Sequence, residues 1–180
     1  RQAIAKTVIR SKTDQPDFYV TVAVDMTNSI ALRTSLNEVL KEENIKISVN
    51  DLVIRATVMA IEKMPKWNMS YNVDSLLANS TINIGIAIAL DDGLVVPSIP
   101  DCQHKSLKQL AIEAHSLGER ARAGRLSEQE MTGGTFSISN LGMFGIEEFS
   151  AILVPPQAGI LAVGAVTPTP VAHETDVVIR

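Results

Sequence analysis

The chain has 180 residues, about the size of one domain, and its 46% hydrophobic and 20% charged residues are ordinary for a globular protein. The formal net charge of −4 gives no basic excess of the kind that marks nucleic-acid binding, and no apolar run reaches the length of a membrane span. A single cysteine, Cys102, excludes an internal disulfide and favours a reducing compartment, and no group of Cys and His residues has the spacing of a metal site.

The first third of the chain predicts one strand and two amphipathic helices. The alternating, β-branched stretch FYVTVAVD, residues 18–25, favours a strand. A helix follows over about 28–43, and a second helix is predicted over about 49–64, where Pro65 ends it. The predicted buried face of the second helix consists of Leu52, Val53, Ala56, Met59 and Ala60.

The middle of the chain predicts a hairpin and then the clearest helix. The segments TINIGIAIAL (81–90) and GLVVPSIP (93–100) are typical of two strands, and Asp91-Asp92-Gly93 between them has the composition of a hairpin turn. A helix is predicted over about 105–124, with Gly124 at its C-terminal end. The predicted buried face of this helix consists of Leu107, Leu110, Ala111, Ala114, Leu117 and Ala121.

The last third predicts a short helix and three strands. Ser127 and Glu130 have the spacing of a helix capping box. TFSISN (135–140), GILAVGAV (159–166) and the terminal DVVIR are typical of strands, and the second of these is apolar enough to be a central strand. Because strands and helices alternate without a regular βαβ rhythm, the sequence predicts an α+β sandwich, with helices packed on one face of a mixed sheet.

The stretch GGTFSISNLGMFG, residues 133–145, places a hydroxyl beside an amide, and neither group is a base at neutral pH. A strand serine such as Ser139 is most often a half-buried hydroxyl bonded to the backbone. Its functional alternative is to donate a hydrogen bond to a developing oxyanion, and losing such a donor lowers a rate by about 10²–10³. In a regular strand, Asn140 points to the opposite side, or it holds the turn into Leu141-Gly142.

An arginine and three histidines are the other candidates for chemistry. Arg33, on the first predicted helix, is either a solvated charge or a phosphate ligand, since the guanidinium fork matches phosphate oxygens. His104, His115 and His173 lack the sequence context of an activated base, and surface or structural roles are expected for them.

Taken together, these segments resemble the catalytic domain of dihydrolipoyl acyltransferases of 2-oxo acid dehydrogenase complexes. The matching stretches run in the family's order over nearly the whole chain, and the most specific are GGTFSISNLGMFG and PPQAGILAVG. The resemblance implies a chloramphenicol acetyltransferase-like fold over residues 1–180. It also implies homotrimers that build a cubic or dodecahedral core, and acyl transfer between coenzyme A and lipoamide carried on a separate lipoyl domain.

The resemblance also assigns site residues. It implies that Ser139 stabilises the oxyanion with Asn140 in support, and that Arg33, Ser48, Ser139 and Asn140 contact coenzyme A. The family's general base lies in a His-x-x-x-Asp-Gly motif, which this sequence does not contain. The domain is therefore expected to be incomplete at its C-terminus, and the chain by itself to be inactive.

Two functions stay open at this point. One is an acyltransferase; the alternative is a catalytically silent homologue that forms part of the core of the complex. Both place the chain beside lipoyl domains, decarboxylase and dihydrolipoamide dehydrogenase subunits, in a bacterial cytoplasm or the mitochondrial matrix. The stretch GMFGIEEF is closer to the acetyl type of the family than to other acyl types.

Overall fold

The structure is a computed structural model that describes residues 2–72, 74–91 and 93–180. Within these ranges the chain forms five α-helices and ten β-strands. The helices are α1 Gln2–Asp14, α2 Thr27–Val39, α3 Val49–Lys63, α4 Leu107–Arg122 and α5 Glu128–Thr132. The strands are β1 Met69–Asn72, β2 Ser75–Ala78, β3 Ile84–Ile86, β4 Ile88–Leu90, β5 Gly93–Val95, β6 Ser98–Ile99, β7 Phe136–Asn140, β8 Ile160–Val163, β9 Pro170–His173 and β10 Asp176–Ile179. None of the described helices is long and apolar enough to cross a membrane.

A four-stranded mixed sheet with the order β6-β3-β7-β8 forms the centre of the fold. β3, β7 and β8 are parallel, and β6 pairs antiparallel with β3. Ile138 of β7 is opposite Ile86 of β3 on one side and Leu161 of β8 on the other. Toward its end, at Ser139 and Asn140, β7 is paired with β8. The described residues also form three antiparallel hairpins, β1–β2, β4–β5 and β9–β10.

Helices α3 and α4 pack together and bury apolar side chains against this sheet. The buried positions of α3 are Ile54, Val58 and Ile61, an i, i+4, i+7 stripe. Burying a side chain of this size stabilises the fold by about 1.5–3 kcal/mol. The cluster is completed by Ile82, Ile84, Ile99, Cys102, Leu110, Leu117 and Ile138. The predicted α+β architecture is therefore confirmed.

Local sequence signals set the ends of the helices. Capping boxes begin α3, α4 and α5, and each gives a backbone N–H of the first turn a side-chain acceptor. The predicted box at Ser127 and Glu130 is confirmed. Gly124 follows α4 with a φ of +65°, a conformation that favours glycine and ends the helix as predicted.

The predicted strand over residues 18–25 is wrong, because this segment forms no strand in the structure. Its side chains point into solvent, with Val20, Val22 and Val24 exposed by 78%, 73% and 67%. An alternating β-branched stretch favours extended backbone, but a strand also needs a neighbour whose backbone groups pair with it. Among the described residues, no strand pairs with residues 18–25.

The predicted buried face of α3 is wrong at three of its five positions, while Leu52 and Val53 are partly buried and Val53 packs against the core. Met59 is 46% exposed and Ala56 and Ala60 are exposed, whereas Ile54 and Val58 are completely buried. Apolar residues occur on several sides of this helix, so the 3.6-residue period alone does not select one of them. On α4, by contrast, the predicted face is confirmed, since Leu110, Ala111, Leu117 and Ala121 are buried and Leu107 and Ala114 are partly buried.

The predicted hairpin is present, but each of its two long strands is divided in two. β4 and β5 form the hairpin, with Leu90 opposite Gly93, while β3 and β6 pair within the central sheet. Asp92 of the predicted turn lies outside the described residues. GILAVGAV contributes β8, which lies at an edge of the described sheet and not at its centre, so its predicted central position is wrong.

Candidate functional site

Ser139 lies near the carboxyl end of β7, where it pairs with Ala162 of β8, and its side chain is half-buried. Among the described residues, its hydroxyl has no hydrogen-bond partner. Because side chains alternate along a strand, Ser139 shares a face of the sheet with Ser137, two residues before it. The structure thus presents at the end of β7 a hydroxyl that is free to donate a hydrogen bond.

Asn140, the last residue of β7, has its side-chain amide fixed at both ends. The backbone N–H of Gly142 donates to Asn140 Oδ1 at 2.9 Å, and Asn140 Nδ2 donates to Asn50 Oδ1 of α3 at 3.2 Å. The amide therefore points toward the helices, away from the face that carries Ser139, as a regular strand predicts. Its bond to Gly142 also agrees with the predicted role in the turn.

Arg33 is half-buried on α2, and its Nε donates to the carbonyl oxygen of Ile47 at 2.9 Å. Asn37, one turn further along, holds the same residue, because its Oδ1 accepts from Ile47 N at 2.7 Å and its Nδ2 donates to Ile47 O at 3.1 Å. Among the described residues, the two terminal nitrogens of Arg33 have no partner. They are the donors that suit a phosphate group.

Ser48 follows Ile47 directly and begins α3 as its N-cap. Its hydroxyl accepts from Asp51 N at 3.1 Å and donates to Asp51 Oδ2 at 2.7 Å. Since a hydroxyl has one proton and two lone pairs, Ser48 retains one acceptor position for another molecule. Arg33 bonds to Ile47, the residue before Ser48, and Asn50, two residues after Ser48, bonds to Asn140. These contacts connect the three predicted site residues Arg33, Ser48 and Asn140.

Beneath Ser139, a buried pair of polar side chains supports the same face of β7. Ser137 is fully buried, and its Oγ donates to Gln157 Oε1 at 2.6 Å; Gln157 Nε2 donates to the carbonyl of Gly134 at 3.1 Å. Gly85 of β3 lies against this pair, because a Cβ on it would be 2.7 Å from Ser137 Oγ. The backbone approach of β3 to β7 therefore requires a glycine here.

The three histidines and the single cysteine make no hydrogen bond with Ser139 or Asn140 among the described residues. His115 is exposed on α4 beside Glu119, His104 is exposed after β6, and His173 is exposed at the end of β9. Cys102 is buried in the core, where desolvation raises the pKa of its thiol to about 11. A thiol with this pKa is almost entirely protonated at neutral pH, so Cys102 is not a nucleophile in the folded chain.

Sequence reasoning missed three residues of this region: Asn37, Asn50 and Gln157. Each makes contacts with residues far along the chain, such as that between Asn50 and Asn140, 90 positions apart. For Asn50 and Gln157 the sequence signal was their place in two stretches that match the family, ISVNDLVIRA (47–56) and PPQAGILAVG (155–164), whereas Asn37 lies in no such stretch. Composition and periodicity carry no information on such long-range hydrogen bonds.

The mixed sheet with α3 and α4 packed against it has the chloramphenicol acetyltransferase-like fold, which is the fold of the solved structures that the chain matches. Dihydrolipoamide acetyltransferase from Azotobacter vinelandii, solved to investigate a serine, a histidine and an asparagine in its catalytic mechanism, matches with a TM-score of 0.95. It is 31% identical, over 99% of this chain and 74% of its own. The cubic core of a pyruvate dehydrogenase multienzyme complex also matches with a TM-score of 0.95, at 32% identity over the same shares of the two chains.

The sequence comparison identifies the family. Residues 1–180 match the model for the catalytic domain of 2-oxoacid dehydrogenases acyltransferase, and the chain belongs to this family. It is 45% identical over 165 residues to the dihydrolipoyllysine-residue acetyltransferase component of the pyruvate dehydrogenase complex of Zymomonas mobilis. That alignment covers 92% of this chain and 38% of the relative, so the chain spans less than half the length of this relative.

Proposed function

We propose that this chain is the part of an acyltransferase that moves an acyl group between dihydrolipoamide and coenzyme A in a 2-oxo acid dehydrogenase complex. The observation that carries the proposal is the half-buried hydroxyl of Ser139, which has no partner among the described residues and lies beside the fixed Asn140. Attack of a thiolate on a thioester places negative charge on the carbonyl oxygen. In the proposed mechanism, Ser139 donates a hydrogen bond to that oxygen.

Coenzyme A is the proposed thiol substrate, and Arg33, Ser48, Ser139 and Asn140 are its proposed contacts. The free terminal nitrogens of Arg33 suit a phosphate, and the remaining lone pair of Ser48 suits a donor on the ligand. Asn140 supports Ser139 by holding the turn that follows β7. The proposed acyl group is acetyl, in keeping with the relatives of the chain that are acetyltransferases.

Proton transfer requires a group that these residues do not supply. The 180 residues contain no His-x-x-x-Asp-Gly motif. Among the described residues, none of the three histidines forms a hydrogen bond with the side chain of Ser139 or Asn140. We propose that the base is a histidine outside these residues, contributed by a neighbouring subunit. The 180-residue chain by itself should then show negligible transfer, and robust turnover would mean that one of its own groups is the base.

The proposed assembly is a homotrimer within a larger core, and the likeness to a cubic core supports it. The proposed partners are a lipoyl domain that carries the acyl group, the decarboxylase that loads it and dihydrolipoamide dehydrogenase. Relatives of the chain include bacterial and mitochondrial components, so a bacterial cytoplasm or the mitochondrial matrix is the proposed location.

Substitution of the serine tests the function. In the whole natural protein, Ser139→Ala should lower the rate of acetyl transfer from acetyl-dihydrolipoamide to coenzyme A by about 10²–10³. Ser75→Ala, on the exposed strand β2, is the matched control and should leave the rate unchanged. An unchanged rate in Ser139→Ala would rule out the oxyanion role.

The second candidate function is a catalytically silent core component, which would have the same fold and the same family match without needing a general base. It predicts that the whole natural protein assembles into trimers, as judged by sedimentation, but transfers no acyl group. Measurable transfer by the wild-type protein excludes this candidate.

A further inference from the structure

The orientation of the Asn50 amide follows from a chain of hydrogen bonds that starts at the backbone. A backbone N–H only donates, so the atom of Asn140 that faces Gly142 N is the oxygen, Oδ1. The other end of the Asn140 amide is then its Nδ2 group, which also only donates. The Asn50 atom that accepts from it, at 3.2 Å, is consequently Oδ1.

This orientation turns the Nδ2 group of Asn50 away from Asn140. Asn50 is half-buried, and its Nδ2 has no hydrogen-bond partner among the described residues. Because Asn140 Oδ1 already accepts from Gly142 N, the atom of Asn140 that faces Asn50 is the donor Nδ2. Turning the Asn50 amide over would place its own Nδ2 against this donor. Asn50 therefore presents a fixed hydrogen-bond donor beside the end of β7.

The position of this donor indicates which part of a ligand it meets. On one side, Ser48 is two residues away and adjoins Ile47, whose carbonyl holds Arg33. On the other side, Asn50 contacts Asn140, the residue that follows Ser139 at the end of β7, where a ligand can pass from one face of the sheet to the other. The proposed function places phosphate groups of coenzyme A at Arg33 and its thiol at Ser139. The pantetheine arm, which joins these two ends, contains two amide carbonyls.

We propose that Asn50 is a further binding residue of this site and that its Nδ2 donates a hydrogen bond to an amide carbonyl of the pantetheine arm. The inference rests on the proposed function. It assigns to Asn50 two separate tasks, one for each atom of its amide. Oδ1 holds Asn140 in place, and Nδ2 recognises the coenzyme.

The substitution Asn50→Asp separates the two tasks. An aspartate is isosteric with asparagine and keeps an oxygen that accepts from Asn140 Nδ2, but it replaces the outward donor by an acceptor that repels a carbonyl. Asn50 is the second residue of α3, where a negative charge stabilises a helix, so the melting temperature should not fall. Asn28→Asp is the matched control, because Asn28 is the exposed second residue of α2.

Binding of coenzyme A and of adenosine 3′,5′-bisphosphate, which lacks the pantetheine arm, is measured by calorimetry on the whole natural protein. Asn50→Asp should weaken binding of coenzyme A about tenfold, since a hydrogen bond is lost and a repulsion gained, and change binding of the bisphosphate less than about twofold. Asn28→Asp should change both affinities less than about twofold. Arg33→Ala should weaken the binding of both ligands.

Four results would overturn the inference. Unchanged affinity of Asn50→Asp for coenzyme A would show that Nδ2 makes no contact with it. Equal weakening of binding for both ligands, with an unchanged melting temperature, would place the contact of Asn50 at the nucleotide. Equal weakening together with a lowered melting temperature would show that Asn50 has only a structural role. If the wild-type protein binds neither ligand, the proposed function loses its coenzyme site, and the inference fails with it.

Discussion

Replacing Ser137 by alanine should destabilise the chain, whereas the same change at Ser139, on the same face of β7, should not. Ser137 is fully buried and its Oγ donates to Gln157 Oε1 at 2.6 Å. Gln157 is itself buried and fixed through its Nε2 to Gly134. In Ser137→Ala, Gln157 Oε1 stays buried without its donor.

The cost follows from that unpaired oxygen. Leaving a buried acceptor unsatisfied costs about 1–3 kcal/mol, and one kcal/mol shifts the melting temperature of a domain of this size by about 2–4 °C, so we expect a decrease of about 2–12 °C. Ser139 has no partner to lose among the described residues, and its substitution should change the free energy of unfolding by less than about 0.5 kcal/mol. Thermal unfolding of the wild type and the two variants measures the melting temperatures, and urea denaturation measures the free energies of unfolding.

A further substitution tests the packing of the same side chain. Gly85→Ala places a Cβ 2.7 Å from Ser137 Oγ and 3.2 Å from a methyl of Val96. Removing the hydroxyl relieves the closer contact, so Gly85→Ala should cost less in the Ser137→Ala background than in the wild type. Additive effects, or a larger loss of stability in Ser139→Ala than in Ser137→Ala, would refute this account of β7.

Two further predictions concern the helices. Gly118→Ala should raise the free energy of unfolding by about 0.5–1 kcal/mol, because alanine favours a helix and a Cβ there would meet only the guanidinium of Arg122, with Nη1 at an ordinary contact distance of 3.7 Å. A lower melting temperature would show that this Cβ clashes with its surroundings. Glu130→Gln keeps an oxygen that can accept from Ser127 N, as Gln109 does in α4, but it removes the negative charge at the start of α5 and beside Arg120, so it should cost about 0.5–1 kcal/mol at neutral pH. The backbone N–H of Ser127, and then Arg120, hold the pKa of Glu130 below its ordinary value of 4.5. The stabilisation is therefore complete above 4.5 and is lost as pH falls through the lower, folded pKa, so the difference between wild type and variant in urea denaturation should shrink as the solution is acidified below 4.5. A difference that does not change with pH would show that the charge of Glu130 does not stabilise α5.

Secondary structure was predictable wherever a short stretch of sequence is sufficient to specify it. The predicted helices over 28–43, 49–64 and 105–124 correspond to α2 with its following turn, α3 and α4. Their ends depend on nearby residues, such as the glycine after α4. The strand TFSISN, the hairpin at Leu90 and Gly93 and the capping box at Ser127 are local features of the same kind.

The candidate site was predicted in part. Ser139, Asn140, Arg33 and Ser48 were selected through the resemblance to a family, and the structure links Arg33, Ser48 and Asn140 through contacts between α2, α3 and β7. Asn37, Asn50 and Gln157 were missed. Their partners lie 10, 90 and 20 positions away, and such hydrogen bonds arise only when the elements have packed.

The sequence by itself determined the family, the class of fold and most of the elements, because motifs, periodicity and caps are properties of neighbouring residues. The tertiary structure alone decided which side of α3 is buried, that β8 lies at an edge of the described sheet, and that residues 18–25 have no strand partner among the described residues. It also fixed the amide of Asn50 through Asn140 and Gly142. The physical reason is the same in each case: burial, strand pairing and hydrogen-bond direction depend on groups that approach one another only in the folded chain.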